Sequence, residues 1–127
     1  MLIVDGVEFS AIVKSLTRNF EVVDGEGAGR TLDGVMHRDL IGTYYNYSIS
    51  FVTDYMSRSK YYQLYELVSS PLESHSISIA YNDEILTFDA YVTNGSDTLL
   101  QEKSPNQRLW GDLSMDFIAM QPKRYAL

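Results

Sequence analysis

Residues 44–52 alternate. Tyr45, Tyr47, Ile49 and Phe51 fall on one side, and Asn46, Ser48 and Ser50 fall on the other. A period of two is the strand period, so this segment reads as a strand with one packed and one wet face. One-sided strands belong to antiparallel sheets, because parallel strands are normally covered on both faces. Any fold for this chain must therefore supply antiparallel partners and one apolar layer for that face.

The rest of the sequence supplies partners. Residues 2–9 read as a short strand pair turned at Asp5-Gly6, where glycine accepts a positive φ that other residues resist. Residues 11–23 form a second extended run, anchored by Ile12, Leu16 and Phe20. Further on, Ile77 and Ile79 alternate with Ser76, Ser78 and Ala80, and Asn82-Asp83 marks a turn. Leu86, Phe88, Ala90 and Val92 alternate with Thr87, Asp89 and Tyr91, and Asn94-Gly95 reads as a hairpin turn. Residues 101–108 are polar and hold Pro105, which predicts a loop. In the last strand, 109–120, Leu113, Met115, Phe117 and Ala119 alternate with Asp112, Ser114 and Asp116.

One segment changes period. Tyr61, Leu64, Tyr65 and Val68 fall at i, i+3, i+4 and i+7, one apolar stripe on a helix over 58–69. Ser57 is the expected N-cap, and Pro71 forbids continuation. The order of strands, one helix, then strands predicts an α+β domain over residues 1–127. Its architecture is an antiparallel β-sandwich or partly open barrel with one helix packed against it. Ile49, Phe51, Leu64, Tyr65, Val68, Phe88, Val92, Leu113, Met115 and Phe117 are expected to be largely buried.

Composition narrows the function. The chain has 127 residues, 10 Lys+Arg against 17 Asp+Glu, and a formal charge of -7. Gripping duplex DNA or an anionic membrane rewards a basic surface, so neither is expected, and sequence-specific nucleic-acid binding is not either. Cysteine is absent, which removes disulfides, thiolate metal sites and thiol catalysis. The first residues lack the basic and apolar regions of a signal peptide, and no stretch approaches the roughly 18 apolar residues of a spanning helix. A cytoplasmic place of synthesis is expected.

The chemistry-bearing candidates are thin. Residues 24–34 hold four glycines, Gly25, Gly27, Gly29 and Gly34, and predict a mobile or irregular loop. The spacing is not G-x-G-x-x-G, no G-K-[ST] follows, and no helix start comes next, so a phosphate cradle is not indicated. Asp24, Glu26 and Asp33 do not have the spacing of a calcium loop. His37 and Asp39 share a face of an extended segment and could orient an imidazole, yet no nucleophile elbow accompanies them. His75 reads as an exposed loop residue. Asp112 and Asp116 share a strand face about 13 Å apart, too far for a glycosidase pair. Tyr44, Tyr45, Tyr47, Tyr61, Tyr62 and Tyr65 could line a stacking platform, although packing is the commoner use of tyrosine. No catalytic residue, cofactor or metal is expected.

The order of elements resembles a known architecture. A short N-terminal strand pair leads to two longer strands joined by the glycine-rich 24–34 loop, then one helix, then closing strands. This is similar to the tail-tube fold of long-tailed bacteriophages, shared by major tail proteins and the ring-forming part of distal tail proteins. Two runs also resemble small prophage proteins of Gram-positive bacteria. One is Gly34-Val35-Met36-His37-Arg38-Asp39-Leu40-Ile41-Gly42-Thr43-Tyr44-Tyr45-Asn46-Tyr47. The other is Leu109-Trp110-Gly111-Asp112-Leu113-Ser114-Met115-Asp116-Phe117-Ile118-Ala119-Met120-Gln121-Pro122.

The resemblance implies a structural protein of the virion tail, assembled in the bacterial host cytoplasm, with no catalytic residues. Such proteins form homo-oligomeric rings, usually hexamers, whose sheets join edge to edge around a channel, and they stack on other tail proteins. The loop residues Asp24, Gly25, Glu26, Gly27, Gly29, Arg30 and Asp33 are then the expected oligomer interface. An acidic channel wall would repel DNA phosphates and let a genome slide. The small size leaves open a tube protein, a ring at the tube's end or a free-standing relative. The residues alone also admit a monomeric acidic β-sandwich that binds a sugar or peptide on a tyrosine-lined face, and, further off, a hydrolase built on His37 and Asp39.

Overall fold

The computed structural model describes residues 2–9, 12–24, 29–30, 34, 36–38, 40–52 and 57–125. Ten strands and one helix run in the order β1 (Leu2–Val4), β2 (Val7–Phe9), β3 (Ile12–Asp24), β4 (Gly29–Arg30), β5 (Met36–His37), β6 (Leu40–Val52), α1 (Arg58–Val68), β7 (His75–Tyr81), β8 (Glu84–Ser104), β9 (Gln107–Ala119) and β10 (Arg124–Tyr125). Eight of the strands form one antiparallel sheet in the order β10-β6-β9-β8-β7-β1-β2, with β3 added along β6; β4 and β5 pair separately. The fold is α+β and mostly β. It is mostly one hydrogen-bonded antiparallel sheet and not a closed barrel.

The alternating segment is the centre of this sheet. β6 pairs with β3 along its length, from Ile12↔Val52 to Asp24↔Leu40. Its other side pairs with β9 from Tyr47↔Phe117 to Ser50↔Ser114, and with β10 at Thr43↔Arg124. The inward face is buried as expected, with Tyr47, Ile49 and Phe51 beside Leu113, Met115 and Phe117.

The sheet is strongly curled. The Tyr47 hydroxyl donates to the Ala80 carbonyl at 3.1 Å. Ala80 lies on β7, three strand spacings from β6, which is about 14 Å in a flat sheet. A tyrosine side chain cannot span that distance, so the sheet must coil to bring β7 over β6. At the same rim Arg18 on β3 donates to the Asn82 side chain at 2.7 Å, and its guanidinium lies 5.4 Å from the Tyr81 ring centre.

The short turns carry the chemistry read from sequence. Between β1 and β2, Asp5 (φ 50°) and Gly6 (φ 83°) are both left-handed, as a two-residue type I′ hairpin requires. Asn82 (φ 50°) opens the β7–β8 turn. Helix α1 begins on Ser57, whose Oγ accepts from the Lys60 N–H at 3.3 Å, and Tyr61, Leu64 and Val68 enter the core. Ser57→Ala should cost about 0.5–1 kcal/mol in a urea melt, and Ser57→Asp should restore most of it.

Several expectations are corrected. Asn94-Gly95 is not a hairpin turn: β8 runs through it, and Asn94 (φ 55°) is the extra residue of a bulge between Thr93 and Ser96. The dipeptide supplies a left-handed residue, which serves a bulge as well as a reversal. Residues 101–108 are not a loop, because pairing continues to Ser104↔Gln107 and only Pro105-Asn106 turn. Tyr65 is 41% exposed and Phe20 is 71% exposed, so neither anchors the core. Phe88 and Val92 are half-buried against the core rather than within it. Within the 24–34 segment Gly29 and Arg30 form β4 and pair with His37 and Met36, and Gly34 (φ 81°) lies between the two short strands in sequence.

Candidate functional site

The edges of the open sheet are its most distinctive surface. β2 is an edge of three residues, and β3 is an edge of thirteen. Phe20 and Val22 stand on the side of β3 that carries Leu16 and continues the core-facing layer past the end of the core. Phe20 is 71% exposed, and Val22, Leu40 and Ile41 on the same end of the β3–β6 ribbon are exposed as well. An unpaired strand edge with an apolar overhang is a template for another chain.

Asp24 closes that end. It accepts from Arg38 Nε at 2.9 Å and Nη2 at 3.0 Å, a two-point contact, and Arg38 Nη2 also reaches the Val22 carbonyl at 3.3 Å. This fixes the end of β3 to the segment entering β6. Of the other loop residues expected at an interface, Gly29 is an exposed member of β4 and Arg30 pairs through its backbone. Gly25, Glu26, Gly27 and Asp33 lie outside the described residues. The same is true of Asp39 and of the His37 side chain, so the His37–Asp39 candidate falls there too.

His75 is placed differently from expectation. It is the first residue of β7 and 2% exposed, with Nδ1 2.6 Å from Asp5 Oδ2. Asp5 Oδ1 accepts from the Ser76 N–H at 2.8 Å, and the Asp5 N–H donates to the Ser76 carbonyl at 2.8 Å. Burial pushes the Asp5 carboxyl up, but the His75 hydrogen bond, the Ser76 N–H and the His75 charge together hold it below the usual carboxylate range. The pair clasps the β1–β2 turn to β7. Sequence missed it because the two residues are 70 positions apart.

The six tyrosines do not form one platform. Tyr47 is in the core, and Tyr45 packs on Tyr81 with ring centres 5.3 Å apart. Tyr61, Tyr62 and Tyr65 lie elsewhere, on α1. Asp116 accepts from Asn94 Nδ2 at 2.8 Å, and this bond, with a second from Ser48, lowers its carboxyl below the usual range. Asp112 (φ 55°) is the extra residue of a bulge in β9. Both aspartates serve the bulged ladder in this way. Among the described residues no three His, Asp or Glu side chains converge to hold a metal, and no helix is long and apolar enough to cross a membrane. No family model, curated protein or solved structure matches the chain.

Proposed function

We propose that this chain is a phage or prophage tail structural protein that assembles with copies of itself into rings, through its sheet edges and the 24–34 loop. The observation that carries the reading is the β3 edge: thirteen residues long, with β6 its only strand partner among the described residues, and carrying exposed Phe20 and Val22. A long edge with an apolar overhang is a liability in a monomer and an asset in an assembly. The opposite edge, β2, is short and different. Pairing of unlike edges is head-to-tail, and head-to-tail contacts close into rings when the rotation permits. The net charge of -7 suits a wall along which nucleic acid slides without adhering.

The test is light scattering with negative-stain imaging over a concentration series up to millimolar protein. Rings are expected at the high end. Phe20→Lys should abolish them while leaving the melting curve unchanged, because Phe20 lies outside the core and lysine guards edges. A particle that stays monomeric throughout refutes the reading. A species that stops at two copies refutes the ring, since β3 paired with β3 closes a dimer.

A further inference from the structure

A second surface lies on α1 and the β8–β9 ribbon, away from the β3 edge. Tyr61, Tyr62 and Tyr65 of α1, Asp97 of β8 and Trp110 of β9 line an open cavity of about 170 Å³. The i, i+4 spacing puts Tyr61 and Tyr65 on one face, and Tyr62 stands about 100° round the helix from Tyr61. Tyr61 and Tyr62 meet edge to face, with ring centres 6.1 Å apart and planes at 73°. Tyr61 is buried at the back, while Tyr62 and Tyr65, each 41% exposed, form the rim.

Every wall of this cavity is electron-rich. Four of its five side chains are aromatic, with negative ring faces, and the fifth is a carboxylate. Asp97 Oδ2 accepts from the Tyr61 hydroxyl at 3.0 Å, which fixes the carboxylate at the cavity. Burial, that bond and the charges of Asp97 and Asp112 push the Tyr61 phenol well above its usual range, so it stays a donor. Asp97 has no cation partner among the described residues. Two cations on the neighbouring segments are engaged elsewhere: Lys60 Nζ sits 5.6 Å from the Phe9 ring centre, and Arg108 pairs with Glu102 at 2.9 Å.

The backbone is arranged around the same point. The ladder shifts register between Thr93 and Ser96, just before Asp97, and again between Ser96 and Thr98, where Asp97 faces the extra residue of β9 at Asp112. Bulges re-aim side chains that a regular ladder would direct elsewhere.

We propose that this cavity binds an organic cation of the quaternary-ammonium class, a trimethylammonium group on a slender stem. Aromatic faces with one anion favour a weakly hydrated cation. An unmethylated lysine brings three N–H donors and an arginine five, and each needs an acceptor. The lining offers one carboxylate, already engaged by Tyr61, and the weaker phenol oxygens of Tyr62 and Tyr65. A trimethylammonium group has no such demand.

The test titrates the full chain by calorimetry and by the fluorescence of Trp110, the one tryptophan in the sequence. Choline should bind saturably. Its neutral carbon isostere, with tert-butyl in place of trimethylammonium, and free arginine should each bind at least about tenfold more weakly. Tyr65→Ala and Asp97→Asn should each weaken choline about five- to tenfold with unchanged melting curves. A peptide bearing trimethyl-lysine that outcompetes choline assigns the cation to a protein partner, and the reverse order assigns it to a small molecule. No saturable heat or fluorescence change with either ligand overturns the proposal. Equal binding of the neutral isostere, tighter binding of arginine, or full affinity in Tyr65→Ala does so too.

Discussion

Tyr47→Ala should remove about 3–5 kcal/mol of stability, the cost of emptying a fully buried aromatic site. Domains of this size have about 5–15 kcal/mol in total, so the variant loses between about a fifth and all of its stability. Tyr47 is 1% exposed and its ring lies 5.8 Å from that of Phe88, two strands away. The side chain therefore holds the coil of the sheet as well as filling space. Tyr47→Phe separates the two contributions. It keeps the ring and removes only the bond to the Ala80 carbonyl, and because Ala80 is exposed, water can replace that donor. Its expected cost is about 1 kcal/mol or less. Urea melts followed by circular dichroism measure both. A loss under about 1 kcal/mol for Tyr47→Ala would mean that the sheet does not curl over this residue.

Asp5→Ala should cost about 2–4 kcal/mol. About 1–2 of this comes from placing alanine at φ 50°, and the rest from leaving buried His75 without its partner. The charge can be isolated with Asp5→Asn, which tolerates the left-handed backbone and keeps an acceptor for the Ser76 N–H. The Asp5 carboxyl is held below its ordinary range when folded. A depressed carboxyl contributes stability that is present above the unfolded value and is lost as pH falls through the folded one. The wild-type chain should thus lose stability below about pH 4, and Asp5→Asn should lose less over the same interval. A series of urea melts across that range checks it. Parallel acid losses in the two proteins would show that the clasp is not charged.

Much of the fold was legible because its signals are local. The alternation of Tyr45, Tyr47, Ile49 and Phe51 declared both the strand and its buried side, and the 61-64-68 spacing declared the helix. Asp5-Gly6 and Asn82-Asp83 announced turns. What was misread depends on distance. Asn94-Gly95 specifies a local left-handed backbone, but whether the chain then reverses is decided by β9, which keeps pairing beyond it. Leu16 and Phe20 were read as anchors alike, because the sequence does not say where the covering layer stops. Leu16 is half-buried, whereas Phe20 overhangs. Tyr65 fits the helical stripe, yet the ribbon opposite it holds a cavity. The Asp5–His75 clasp and the meeting of Tyr61 with Asp97 join residues 70 and 36 positions apart, and periodicity carries no information at that range.

The register between β6 and β9 also dictates the order of events during synthesis. Phe117, the partner of Tyr47, is made 70 residues later. At about 5–20 residues per second the ribosome needs between about 4 and 14 s to deliver it. Throughout that interval the backbone of Tyr47–Ser50 lacks its β9 partner, and each nascent chain carries that open ladder until β9 arrives.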